Sequence, residues 1–193
     1  LLVHGSPVSY GSFTLSIPLA IIGHGHDPAA GPAPYIPGAT IDAGAAGSLI
    51  EGLTFGYIQQ YAPDAIIRGC KFGTFLSIFS TATGNLISGC VFINCYIDVD
   101  GSAANLEVRN NYFSHSGNDN NFKGGSATTL VHHNVFVRTY TGSPSSNRIF
   151  QASTAFSVFA DNVFYTEVVA AFNPQDCPNY SFQSNLSYCT AGT

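Results

Sequence analysis

Seven stretches of this chain repeat one order of apolar and polar positions. They are Ser48-Leu-Ile-Glu-Gly-Leu-Thr-Phe55, Ala65-Ile-Ile-Arg-Gly-Cys-Lys-Phe72, Asn85-Leu-Ile-Ser-Gly-Cys-Val-Phe92 and Leu106-Glu-Val-Arg-Asn-Asn-Tyr-Phe113. Thr129-Leu-Val-His-His-Asn-Val-Phe136, Ser157-Val-Phe-Ala-Asp-Asn-Val-Phe164 and a decayed Tyr180-Ser-Phe-Gln-Ser-Asn-Leu-Ser187 complete the set. The closing position recurs after 17, 20, 21, 23, 28 and 23 residues, a spacing too loose for a helical repeat. A solenoid of short strands tolerates it, because surplus residues loop outwards. Each octet reads as strand, two-residue corner, strand. Ile50, Ile67, Ile87, Val108, Val131, Phe159 and Phe182 form one apolar column, and Phe55, Phe72, Phe92, Phe113, Phe136 and Phe164 a second.

Between these columns stand Gly52, Gly69, Gly89, Asn110, His133, Asp161 and Ser184. Gly, Asn and Asp enter left-handed backbone cheaply, so this position predicts a tight corner. The next column runs Leu53, Cys70, Cys90, Asn111, Asn134, Asn162, Asn185. Stacked Asn side chains at a corner can bond along the stack, which gives these residues a structural role. Carrying each spacing back predicts a third inward column of Ile41, Ile58, Ile78, Val99, Phe122 and Phe150.

Three parallel strands per coil with Asn at the short corner resemble the right-handed single-stranded parallel β-helix of the pectate-lyase-like superfamily. The opening Ile21-Ile-Gly-His-Gly25 and Ala39-Thr-Ile-Asp-Ala-Gly44 are similar to first coils of that family. The expected fold is all-β, about eight coils and one domain over 1–193, with irregular first coils over 1–47 and regular ones over 48–188. At ~4.8 Å per coil the rod would be roughly 38 Å long.

Only 9% of residues are charged, while 20 Ser, 14 Thr and 14 Asn supply most of the polarity. A net charge of −5 with six Lys and Arg excludes the basic stripe that nucleic acid requires. The longest apolar run, near Ile17–Ile22, is too short for membrane insertion. The absence of Met and the start at Leu1 point to a processed chain or part of a longer one. Five Cys among Ser, Thr, Asn and Gly lean towards an oxidising setting, extracellular or at the cell surface. Cys70 and Cys90 sit in adjacent coils at disulfide range, with a bridge and buried thiols both open. Cys177 and Cys189 bracket the last coil and could staple it, whereas Cys95 has no evident partner.

The resemblance implies a ligand groove along the outward face of the third strand. Its columns are expected to be Asp42, Gln59, Phe79, Asp100, Lys123, Gln151 and Thr40, Tyr57, Ser77, Asp98, Asn121, Ile149. Asp98 and Asp100 then face one way with Lys123 one coil above Asp100, and Arg148 lies close by. One reading is a polysaccharide lyase in which the carboxylates hold Ca²⁺ and Lys123 abstracts a proton. The other is a surface ion pair between Asp100 and Lys123. Cofactors are otherwise not expected. His24 and His26 project to one side of an extended strand and are candidate metal ligands. Gly-His-Gly also occurs in polygalacturonase-like glycosidases, but their paired Asp and Arg-x-Lys are missing, so that activity is not carried over. His132 and His133 read as structural.

Three functions follow. The first is a non-catalytic structural or adhesive module, a cell-surface or filament segment whose open ends stack on further coils or on another copy. The second is a lyase or glycosidase acting on an acidic polysaccharide. The third is a carbohydrate-binding module in which Tyr57, Phe79 and Tyr96 stack on sugars.

Overall fold

A computed structural model describes residues 1–25, 33–116, 121–139, 149–151, 157–167 and 180–189. The chain winds as a parallel β-solenoid of about seven turns, close to the expected count. Its first strands are β1 (Leu2–Val3), β2 (Phe13–Leu15), β3 (Ala20–Gly23), β4 (Tyr35–Ile41), β5 (Leu49–Glu51), β6 (Thr54–Gln60) and β7 (Ile66–Arg68). The middle holds β8 (Lys71–Ile78), β9 (Leu86–Ser88), β10 (Val91–Ile93), β11 (Tyr96–Val99), β12 (Glu107–Arg109), β13 (Tyr112–His115) and β14 (Phe122–Gly124). The last are β15 (Leu130–His132), β16 (Val135–Arg138), β17 (Phe150–Gln151), β18 (Ser157–Ala160), β19 (Val163–Thr166), β20 (Tyr180–Gln183) and β21 (Leu186–Cys189).

One sheet stacks the first strand of each turn in the order β1-β3-β5-β7-β9-β12-β15-β18-β20. It aligns Ile21, Ile50, Ile67, Ile87, Val108, Val131, Phe159 and Phe182 as one column, which the octets predict from Ile50 onwards. The second sheet holds the remaining strands. In β4, β6 and β8 the expected second and third strands are one continuous strand, and they separate only from β10 and β11 onward. Three strands per coil therefore holds for the later turns.

The seven corner residues Gly52, Gly69, Gly89, Asn110, His133, Asp161 and Ser184 all have positive φ, between 49° and 65°. Here the chain leaves one sheet for the other and exposes backbone groups to a dry interior, where unpaired groups are costly. The Asn column pairs them. Asn134 Oδ1 accepts the backbone N–H and the side-chain amide of Asn111, at 2.9 and 3.0 Å. Asn134 Nδ2 donates to Val108 O and to Asn162 Oδ1, at 2.9 and 3.0 Å. Asn111, Asn162 and Asn185 bond likewise to the carbonyls of Ile87, Val131 and Phe159. Where the column holds cysteine, the thiols of Cys70 and Cys90 reach the equivalent carbonyls of Ile50 and Ile67, at 3.8 and 3.7 Å. Cysteine is a weaker donor in the position asparagine later fills. Beside this column the buried Phe rings stack from Phe55 to Phe164 at centroid separations of 4.5 to 6.0 Å.

The third column departs from expectation. Ile41, Ile78 and Val99 align through Gln60, but Ile58 and Phe122 lie two residues away, in the row Ala39-Ile58-Leu76-Ile97-Phe122-Phe150. The segment from the third strand to the next turn's first strand is shorter by two residues after Ile58 and Phe122 than after Leu76 and Ile97, so a fixed offset fails. A slip of two keeps the facing, so Ile58 and Phe122 remain inward. Asn121 and Ile149, expected outside, are fully buried. Ile149 O accepts the N–H groups of both Asn121 and Phe122, a doubling that breaks the strand alternation there.

Replacing Asn134 by Ala would leave the Asn111 N–H without a partner in the interior and remove one of the bonds to the Val108 carbonyl. An orphaned group costs about 1–3 kcal/mol, so Asn134→Ala is expected to lose roughly 2 kcal/mol or more in urea unfolding. Asn185→Ala, at a half-buried site in the last described turn, should lose less. Equal losses would show that the column does not work through burial.

Candidate functional site

The outward face of the third strands carries the expected chemistry in a different arrangement. Register places Thr40, Gln59, Ser77, Asp98, Lys123 and Gln151 in one row. Lys123 is therefore the neighbour of Asp98, and the expected Asp100–Lys123 pairing is not formed. The Lys123 ammonium sits 3.6 Å from the centroid of the Tyr96 ring, a cation–π contact that exists for the charged form.

That contact ends an outer aromatic ladder. Tyr57 stacks on Phe75 at 5.2 Å and Phe75 on Tyr96 at 6.0 Å. The Tyr57 ring lies against Gly38, where a Cβ would overlap it. Glycine, rings and ammonium thus cover the faces of Tyr57 and Tyr96. Phe79 differs. It stacks on Tyr61 at 4.1 Å and also lines an open pocket of about 190 Å³ with Ser77, Ile78, Asp98 and Asp100. Asp98 and Asp100 do face the same way, as the alternation along β11 requires. Tyr57 borders a second depression, of about 220 Å³, with Ser12, Phe13, Thr14 and Thr40.

Asp100 Oδ1 accepts the Ser102 hydroxyl at 2.6 Å and its backbone N–H at 2.9 Å. These two bonds, the hydroxyl first, hold the Asp100 carboxyl below the usual carboxylate range. The group stays ionised to lower pH, which suits an acceptor and opposes a proton-donating role.

Other candidates separate. Asn121 is buried and its amide faces no groove. Arg148, His26 and Cys177 lie outside the described residues, as does the side chain of Cys189. Among the described residues no three His, Cys, Asp or Glu side chains converge to hold a metal. Cys70, Cys90 and Cys95 are free buried thiols, which settles the open alternative for Cys70 and Cys90. Burial, with the adjoining Cys70 adding to it, pushes the Cys90 thiol up. Burial alone raises Cys95 from 9.0 to about 12. The Glu51–Arg68 pair forms at 2.9 Å between adjacent turns, half in solvent, and carries no further chemistry.

Three features escaped the sequence reading. Phe75 completes the outer ladder, and its signal was its place among Tyr57 and Tyr96. A second left-handed corner runs through Gly47, Asp64, Gly84 and Asn105, one residue before the first four octets. Glu107 Oε1 meets His132 Nε2 at 2.9 Å, a contact that needs the register of β12 on β15. At the chain's first turn an apolar cavity of about 480 Å³ lies among Leu1, Val3, Phe13, Leu15, Ile21 and Ile36. Among the described residues no helix is long and apolar enough to cross a membrane.

Comparison with known proteins gave no match to a family, to a curated protein or to a solved structure.

The thiols give a test. Cys70, Cys90 and Cys95 are expected to resist alkylation at pH 8 in the native chain and to react once it is unfolded, read by peptide mass mapping. Unfolded Cys95 ionises from about pH 9 while the native thiol holds its proton until about 12. Stability should therefore fall as pH rises through that window. Native-state labelling at the unfolded rate would contradict this burial.

Proposed function

We propose that this chain is a non-catalytic, adhesive β-solenoid module of the pectate-lyase-like kind. In this reading it works outside the cell and binds a neutral or amino-sugar unit in the Phe79 pocket. The supporting observation is the pocket's composition. A ring, a hydroxyl and two carboxyl side chains line one depression, on strands whose backbone is fixed by pairing on both sides. Carboxylates accept bonds from neighbouring sugar hydroxyls, while a ring packs against the C–H face of a pyranose. About 190 Å³ falls below the roughly 300 Å³ of ordinary ligand pockets, which suits one sugar ring. Rigidity favours binding, because little ordering entropy is lost.

The lyase reading fits less well. A uronate would meet Asp98 and Asp100 with no cation among the pocket's lining residues. A base at Lys123 would also have to give up its contact with Tyr96. A glycosidase acid would need a carboxyl held protonated, and Asp100 is held the other way. The three buried thiols persist in any redox compartment, so the extracellular placing rests on the neutral Ser, Thr and Asn surface. Self-stacking belongs to the same proposal. Its support is the apolar first turn, where Leu1 and Leu2 are 67% and 71% exposed beside the cavity.

The test is a screen of neutral and amino-sugar oligosaccharides followed by calorimetry. Binding in the range of about 0.1–1 mM is expected, some 4–5.5 kcal/mol. Phe79→Ala and Asp98→Asn should each weaken it about tenfold, with circular dichroism unchanged. If no glycan binds, or if a uronate polymer is cleaved and Lys123→Ala abolishes cleavage, this function is wrong.

A further inference from the structure

Successive side chains of an extended strand point to opposite faces, so His132 and His133 should stand apart. The corner cancels that alternation. His133 takes φ 53°, and its ring comes to the side of His132, with centroids 4.9 Å apart and planes at 68°. The two Nδ1 atoms are 2.7 Å from each other, a hydrogen bond in which one ring donates and the other accepts. On its other edge His132 Nε2 meets Glu107 Oε1 at 2.9 Å.

We propose that His132 and His133 chelate a divalent late first-row transition metal, Cu²⁺ foremost, through their two Nδ1 atoms. Two nitrogens bound at ~2.0 Å in cis positions of a square plane lie about 2.8 Å apart, against about 3.3 Å in a tetrahedron. The observed 2.7 Å matches the square-planar spacing, which Cu²⁺ and Ni²⁺ adopt and Zn²⁺ does not. Among these ions Cu²⁺ also binds imidazole most strongly.

Glu107 supplies the outer support such a site requires. A carboxylate accepting from the distal ring N–H fixes the tautomer and leaves the lone pair on the other nitrogen. With Nε2–H of His132 donated to Glu107, Nδ1 of His132 keeps its lone pair, which accepts from His133 Nδ1–H until an ion takes it. His133 is exposed, so on binding its Nδ1 proton passes through water to its own Nε2, and the ion replaces the hydrogen bond between the rings without net loss of a proton. The charged neighbours are Arg109, 3.4 Å from Glu107 and paired in register with His132, and Asp161 at the corner of the next turn. Glu107 offsets the Arg109 charge. Water completes the coordination, because no third side-chain ligand converges among the described residues.

Two variants keep the fold. His133→Asn places the residue that Asn110 supplies at the same corner one turn earlier, at φ 55°. His132→Ala places the residue that Ala160 supplies one turn later. Titration of the purified chain with Cu²⁺ against a competing chelator is expected to give one equivalent. Its electron paramagnetic resonance spectrum should show coupling to two imidazole nitrogens. Either variant should weaken binding more than tenfold, and Glu107→Gln about tenfold with the stoichiometry kept. No stoichiometric binding would overturn the proposal. So would a spectrum that survives His133→Asn and disappears in His24→Ala or His4→Ala.

Discussion

Everything in this molecule depends on a left-handed corner whose following residue turns into the dry interior. A chain that turns inside a packed interior carries amide and carbonyl groups no water can reach, and the free energy of leaving them unpaired rivals the stability of a whole domain. The solenoid pairs them through the residue after the corner, turn upon turn. Asn111, Asn134, Asn162 and Asn185 each accept from the turn before, or donate back to it. The Phe stack and the aliphatic column fill the space so enclosed, but they could not fill it if the turn were hydrated. The two cysteines show how far the rule bends. Their thiols reach the same carbonyls from greater distance, in turns where the corner residue is glycine.

What the sequence made legible follows from this constraint. A position that must accept positive φ shows as Gly, Asn or Asp, and one that must bond a carbonyl beside it shows as Asn. Both columns could be read because each requirement restricts residue type in every turn. His133 and Ser184 were readable only by their place in the register. The third strand was less legible, since its distance to the next turn's first strand is set by a loop whose length no such requirement fixes. A slip of two residues there cost nothing in facing. It still moved Lys123 from Asp100 to Asp98 and turned an apparent ion pair into a cation lying on Tyr96. Site chemistry is more fragile than fold in this respect, because it depends on which outward groups are neighbours and not only on which are outward.

The outward faces also use their aromatic residues in two ways that composition could not distinguish. Tyr57, Phe75 and Tyr96 stack along the axis at roughly the spacing of the strands, so each ring's faces are taken by the next turn. Their edges cover the sheet as a skin. Phe79 escapes this because the next turn presents Asp100 at its position. The residue change that opens the pocket is also the one that gives it polarity.

These relations bear on what kind of chemistry such a fold can support. A general acid or base at neutral pH usually needs a carboxyl or amine whose charge is made costly by burial. Outward positions on a narrow solenoid are wet, and inward ones are mostly filled by apolar columns, with His115 and Arg138 as buried exceptions. Asp100 illustrates the outcome, its carboxyl held ionised by Ser102 and exposed to water. Recognition through carboxylates and a ring suffers no such handicap, since an ionised acceptor is what a sugar hydroxyl needs. Ligation by imidazole needs only a lone pair and a fixed direction. The left-handed corner supplies that direction at His133, and the register of neighbouring turns supplies Glu107 to hold His132. Binding sites can therefore arise on this scaffold from residues already placed by the corner and the ladder.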